Sequence, residues 1–256
     1  MKPSLNGRYF YRCYSSASAG ALRCGKYPDV PKILSHGDLL REFSNHMIRG
    51  QRVPTALISV TDRPIEALYR ALEKYHAKQE DPKEIWIAII FVPDDANTQP
   101  HHARKFAQQL MGSRDAKVFK HEYLFEWEIP RSYLKHNVSL RELFKGGRSI
   151  GSFLDTNGSF PGTLEEFRKL IMSEILLDAY GAGRWIGGIA RAFGVRAPVY
   201  EIANGICSDS LGSFRRIDED SQYFYVYWAN DNGFHGGIEF GSICYVEDGI
   251  SDELDS

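Results

Sequence analysis

The run Ile85-Trp86-Ile87-Ala88-Ile89-Ile90-Phe91-Val92 carries no charged residue and closes at Pro93-Asp94-Asp95. A short apolar run rich in branched side chains and ended by turn residues reads as a strand buried on both faces. Such a strand needs a partner along each edge and a packed layer over each face, so the chain must build a sheet around it. The run is far short of the ~20 apolar residues that cross a membrane as a helix, and no membrane partner is expected. With 256 residues, 43% of them hydrophobic and 25% charged, the chain can fill one large domain or two small ones.

The neighbouring segments supply the rest of a sheet. Gly7 to Tyr14 is aromatic and extended, and runs into the small, polar stretch Ser15 to Gly25, which puts Arg12 near the end of a strand. Asp38 to Arg49 sets Leu39, Leu40, Phe43 and Met47 on one helical face, with Asp38 as its cap. Thr55 to Thr61 is a strand, and Asp62-Arg63-Pro64 leads it into a helix whose apolar positions are Ile65, Leu68, Tyr69 and Leu72. A short helix is expected over Ala103 to Met111. Lys117 to Ile129 reads as one long strand closed by Pro130, and on that reading Glu122, Glu126 and Glu128 share a face.

Glycines and polar residues from Gly146 to Gly162 form the one shift in composition, a candidate boundary. Beyond it Thr163 can cap a helix with Glu166 at its third position, and Leu164, Phe167, Leu170, Ile171 and Leu177 make the apolar stripe. A second helix is expected over Arg184 to Phe193. Tyr223 to Ala229 reads as a strand, Asn230 to Gly233 as a hairpin turn and residues 236 to 246 as the returning strand. The fold class is therefore α+β: a split, strongly bent mixed β core with short helices over residues 1–145, then a helical and β-hairpin extension over 146–256, separate or packed on the first as one unit.

Charge narrows the function. Lys plus Arg number 31 against 33 Asp plus Glu, a formal net charge of -2, so strong nucleic-acid binding is not expected. Cys13, Cys24, Cys207 and Cys244 have neither metal-ligand nor disulfide spacing and read as reduced packing thiols. No signal peptide is evident at Met1 to Gly7, so a cytoplasmic protein is the default expectation, with a secreted effector the alternative if a leader has been removed. Gly181-Ala182-Gly183-Arg184-Trp185-Ile186-Gly187 imitates a dinucleotide fingerprint but follows a helix instead of a strand. His101-His102, lacking a second cluster at ligand spacing, reads as part of a polar loop, and no metal is expected.

Three pieces remain: Arg12 in the opening strand, Ser59-Val60-Thr61 at a strand-to-helix junction, and Glu122 seven residues before Ile129-Pro130. Together they resemble the Arg-Ser-Glu class of mono-ADP-ribosyltransferases, the cholera-toxin-like branch. In that class an arginine ends the first strand, a Ser-Thr-Ser segment opens the junction and a catalytic glutamate leads into an Ile-Pro element. The phrases Ile-Ser-Val-Thr-Asp-Arg-Pro at 58–64 and Glu-Tyr-Leu-Phe-Glu-Trp-Glu-Ile-Pro at 122–130 also resemble an uncharacterised fungal ADP-ribosyltransferase-like domain family. The resemblance covers roughly residues 8 to 136.

The resemblance implies an NAD-dependent mono-ADP-ribosyltransferase, or an NAD glycohydrolase on the same site, with NAD as substrate and an acceptor expected to be a protein. Glu122, Ser59 and Arg12 are its expected catalytic residues, and Arg12, Cys13, Ser59 and Thr61 its NAD-binding ones. The chemistry suits these types. Breaking the bond between ribose and nicotinamide develops positive charge on the sugar, which a carboxylate stabilises. An arginine offers a permanently charged fork for phosphate and ribose oxygens, and a serine hydroxyl can orient the glutamate. The chain departs from the pattern at Cys13, where the class often has glycine, at Val60 and Thr61, and at Lys120, where a cation argues against arginine as acceptor. The alternative is a catalytically inactive interaction module on the same fold, binding a protein partner.

Overall fold

The computed structural model describes residues 6–48, 54–112, 114–146, 160–211, 215–217, 225–229 and 235–255. The apolar run is the strand β3 (Ile85–Pro93), and β1 (Gly7–Ser15) lies antiparallel to it from Gly7↔Pro93 to Ser15↔Ile85. With β2 (Leu57–Thr61), β4 (His101–His102), β5 (Glu122–Glu126) and β6 (Leu134–Ser139) they form a six-stranded sheet in the order β4-β5-β2-β1-β3-β6. Ile85, Ile87, Ala88, Ile89 and Ile90 are fully buried, as a strand flanked on both edges and covered on both faces requires.

Every pairing in this sheet is antiparallel, so the expected mixed sheet is corrected. The pairings are also uneven. β2 and β5 run in register from Leu57↔Glu126 to Thr61↔Glu122, whereas β1 and β2 meet only at Tyr11↔Thr61. Away from that pair the two strands part, leaving the facing backbone groups to find other partners.

Chain compactness defines two units, Met1–Arg63 with Gln79–Ser139, and Pro64–Lys78 with Leu140–Ser256. The first holds the six-stranded sheet, with α1 (His36–His46) and α3 (Ala103–Met111). Strand alternation sorts its side chains into two cores. Phe10, Ile58, Val60, Ala88, Ile90, Tyr123 and Phe125 make one. Leu57 and Leu124, on the other parity of β2 and β5, meet Leu39, Phe43, Ala103, Phe106 and Ala107 from the two helices in the other. Ser59 and Glu122 share the parity of Leu57 and Leu124, the helix-covered face.

Several local expectations are redrawn. The cap of α1 is Ser35, whose side chain accepts from the Asp38 amide, so Asp38 lies inside the first turn. Lys117 to Ile129 is not one strand: a 3₁₀ turn (Asp115–Phe119) precedes β5, and Trp127 follows it at φ 61°. A bulky residue in the left-handed region is held only by surrounding bonds. Here the Trp127 amide donates to Ala56 O (2.7 Å), its carbonyl accepts from the Cys24 amide (2.8 Å) and its indole N–H donates to Lys32 O (2.7 Å). The turn takes Glu128 off the strand. His101-His102 is paired with Leu124 and Tyr123 as β4 and not a loop.

In the second unit α2 (Pro64–His76), α4 (Leu140–Gly146), α5 (Leu164–Leu177), α6 (Ala179–Ala192), α7 (Val199–Leu211) and α8 (Phe240–Asp255) accompany a small sheet β7-β8-β9. Its strands are β7 (Arg215–Ile217), β8 (Tyr225–Ala229) and β9 (His235–Glu239). The break expected at 145/146 falls at Ser139/Leu140, and α2 belongs with this unit: Tyr69 stacks on Phe160 at 5.5 Å and meets Phe167 at 5.9 Å. The Thr163–Glu166 capping box forms. Leu177 is 81% exposed and drops from the stripe. The chain turns helical at Phe240, so the returning strand is shorter than expected; α7, α8 and β7 carry no expectation above. Most of the expected boundary, 147–159, together with Tyr223 and Phe224 of the expected strand and the expected turn Asn230–Gly233, lies outside the described residues.

The glycines of the false fingerprint lie in α6. A Cβ on Gly183 would stand 2.2 Å from the carbonyl oxygen of Val246 on α8, a contact with backbone that cannot rotate away. Alanine normally favours a helix over glycine by about 0.5–1 kcal/mol, but overpacking costs about 1–3 kcal/mol. Gly183→Ala is therefore expected to lower the unfolding free energy, read as an earlier urea midpoint at unchanged slope.

Candidate functional site

Where β1 and β2 part, a side chain replaces the missing backbone ladder. Arg12 Nη1 donates to Ser59 O (2.6 Å), Nε to Ala21 O (2.7 Å) and Nη2 to Gly20 O (2.8 Å). The guanidinium thus joins the end of β1, the middle of β2 and the loop after β1. Burial pushes its pKa down to about 10, against the pull of Cys13, Tyr14 and Glu122, so it remains charged at neutral pH. Three of its five N–H groups are used on carbonyls, leaving two.

Ser59 also reaches the other way. Its Oγ donates to Glu122 Oε1 at 2.6 Å, across the diagonal of the β2–β5 pair, since Ser59 stands opposite Leu124 and Glu122 opposite Thr61. Arg12, Ser59 and Glu122, distant in sequence, form one bonded chain. The remaining glutamates are engaged elsewhere: Glu126 accepts from the Leu34 amide (2.9 Å) and from His101 Nε2 (2.8 Å), and Glu128 accepts from Arg23 Nε (2.8 Å). Parity could not separate the three; their partners do.

The other expected residues fare differently. Cys13 has the parity of Tyr11 on β1, which puts it on the sheet face of Thr61, Ser59 and Glu122, and it stands across from Ile87; none of Cys13, Thr61 and Glu122 lines the cleft beside Ser59. Thr61 faces Glu122 across the strands, and its Oγ1 accepts from the Arg63 amide at 3.2 Å, which ties it to the strand-to-helix junction. Lys120 is exposed at the end of the 3₁₀ turn.

A cleft of about 170 Å³ opens beside this chain, lined among others by Arg12, Gly20, Cys24, His46, Thr55 and Ser59. His46, the last residue of α1, brings its Nε2 to 3.4 Å from Glu122 Oε1 while Nδ1 lies 3.2 Å from Thr55 Oγ1. The sequence gives no sign of it: a histidine closing an amphipathic helix is ordinary, and only the fold brings α1 against β5. Cys24 is buried at the cleft, and burial raises its thiol pKa. Among the described residues no group of three or more His, Cys, Asp or Glu side chains could hold a metal ion, and no helix is long and apolar enough to cross a membrane.

The helix carrying His46 is anchored by Glu42, whose side chain is 5% exposed. It accepts from the Ala56 amide at 2.8 Å and from Lys26 Nζ at 2.5 Å. Burial alone would raise this carboxyl; the two donors hold it below the usual carboxylate range.

A family model described as Domain of unknown function (DUF7587) matches residues 6–143, more than half of the chain. The chain belongs to this family. The match contains the whole six-stranded sheet and every residue of the Arg12–Ser59–Glu122 chain. No curated protein and no solved structure matches the chain.

A carboxyl whose folded pKa is depressed adds stability above its unfolded pKa and loses it as pH falls through the folded one. Glu42→Gln is therefore expected to cost about 1–3 kcal/mol at pH 7, with the gap to wild type closing in the acid range below the unfolded value near 4.5. Urea unfolding of both proteins across pH 3 to 7 checks this; a gap independent of pH would remove the ionic part of the anchor.

Proposed function

We propose that the protein cleaves NAD at the bond between ribose and nicotinamide, as a mono-ADP-ribosyltransferase or, with water as acceptor, an NAD glycohydrolase. One observation carries the reading: Arg12 Nη1 on Ser59 O at 2.6 Å and Ser59 Oγ on Glu122 Oε1 at 2.6 Å join the three residues singled out by the resemblance to the Arg-Ser-Glu class. They do so beside a cleft that Arg12 and Ser59 line.

In this reaction the C1′–N bond breaks, nicotinamide leaves with the electron pair, and an acceptor oxygen or nitrogen forms the new bond to C1′ as it loses its proton. The Glu122 carboxylate, held against the ribose hydroxyls, stabilises the cationic sugar as the bond lengthens. Ser59 fixes one carboxylate oxygen, with His46 beside the same atom. Arg12 has two N–H groups for a phosphate or ribose oxygen, and its rigid attachment to backbone means little reorganisation is needed when the anion arrives.

A second reading, a catalytically inactive interaction module, draws on the same arginine: three of its N–H groups serve backbone carbonyls, which a purely architectural arginine would also do. Turnover separates the two. Purified protein given NAD alone, or NAD with cell lysate, is expected to release nicotinamide, and Glu122→Ala to abolish release. Ser59→Ala is expected to lower kcat about tenfold or more with KM for NAD little changed, as loss of an orienting group does. Absence of release from the wild type under both conditions would leave the interaction module standing.

A further inference from the structure

Glu122 is the first residue of β5 and follows a 3₁₀ turn, a place where strands fray. We infer that His121, Asp62 and Arg8 form a clamp on the reverse face of β5 that positions Glu122, an inference that rests on the reading of Glu122 as the reacting carboxylate. The clamp grips the residues on either side of it. On one side, the Asp62 amide donates to His121 O at 3.3 Å and His121 Nδ1 donates to Asp62 Oδ1 at 2.9 Å. On the other, Arg8 Nη2 donates to the Tyr123 hydroxyl at 2.7 Å while lying 3.7 Å from Asp62 Oδ2. The Arg8 guanidinium also covers the Tyr123 ring, with Cζ 4.9 Å from its centroid.

Asp62 is thus the hub. It follows Thr61, the register partner of Glu122, so the clamp closes the open end of the β2–β5 ladder one residue beyond the carboxylate. The separation of faces gives the clamp its use. Tyr123 packs with Phe10 and Val60 in the core opposite to that of Leu124, so the backbone around residue 122 is held from behind while its side chain extends toward Ser59. No member of the clamp lines the cleft, whereas Ser59 and His46, which both touch Glu122 Oε1, do. Its members are therefore positioning residues: they act on rate through the placement of Glu122, where a misplacement of about 1 Å can cost on the order of a hundredfold.

The test is nicotinamide release by the full chain, with kcat and KM for NAD measured for wild type, Glu122→Ala, His121→Ala, His121→Asn, Asp62→Ala and the double variant His121→Ala/Asp62→Ala. His121→Ala is expected to lower kcat about tenfold at near-constant KM. His121→Asn, which keeps an N–H close to the position of Nδ1, is expected to recover most of that loss, which a role in bulk packing would not predict. The double variant is expected to be no slower than the slower single one, because both changes open the same clamp. Should the alanine variants not fold, Asp62→Asn carries the test, since it keeps the shape and weakens the charge-assisted bonds; its expected fall in kcat is smaller. Wild-type kcat in His121→Ala and Asp62→Ala while Glu122→Ala is dead overturns the clamp alone, as does a change confined to KM. Release that survives Glu122→Ala, or no release by the wild type, overturns the reading of Glu122 and the clamp with it.

Discussion

The first unit is organised around a cation that does the work of a missing strand contact. β1 and β2 meet at one residue pair and then separate, and the guanidinium of Arg12 spans the opening with bonds to Gly20 O, Ala21 O and Ser59 O. Remove it and three carbonyls lose their donor at the point where the sheet is least continuous. The opening that requires the arginine is also the cleft. Ser59 joins the two halves of the bonded chain, since its carbonyl accepts from the arginine and its hydroxyl donates to Glu122.

Two further locks keep the cleft's walls in place. Glu42 binds α1 to Ala56 and Lys26, so His46 at the end of that helix is presented to Glu122 from a fixed base. Trp127 binds the other side, tying Ala56, Cys24 and Lys32 into one knot at the end of β5. Its left-handed backbone is unfavourable in isolation and is compensated by three hydrogen bonds that a more relaxed conformation would not aim correctly. The long segment between β1 and α1 has almost no regular structure, yet it is held at Gly20, Ala21, Cys24, Lys26, Lys32 and Leu34 by partners from the sheet and from α1.

Much of this was legible in the sequence wherever a local period decides the outcome. The apolar run at Ile85 announces a buried interior strand, Pro64 opens a helix, and Thr163 with Glu166 forms the expected capping box. Arg12, Ser59 and Glu122 are named together only through the resemblance to the Arg-Ser-Glu class, each alone being an ordinary residue of a strand or junction, and the structure bonds them to one another. What escaped depends on distant partners. Trp127 breaks a strand that alternation alone would continue to Ile129, because Ala56 and Cys24 recruit its backbone. His101-His102 becomes a strand only because β5 offers an edge. His46 owes its place to the packing of Phe43 and Phe106. The unit boundary moved because Tyr69 finds its aromatic partners beyond residue 159, which no linker composition reveals.

Arg12 reads carbonyl oxygens, the one acceptor that every amino acid carries. Ala21 can therefore be replaced by almost any residue without changing what the guanidinium sees. Gly20 cannot, since a Cβ there would lie 2.3 Å from Arg23 O. The loop is thus held by its path, and drift in its side chains leaves the arginine's bonds intact. Relatives of this chain can share one site geometry behind loops whose sequences have few letters in common, so that loop length and the spacing of Arg12, Ser59 and Glu122 are a steadier guide to kinship than identity along the segment between β1 and α1.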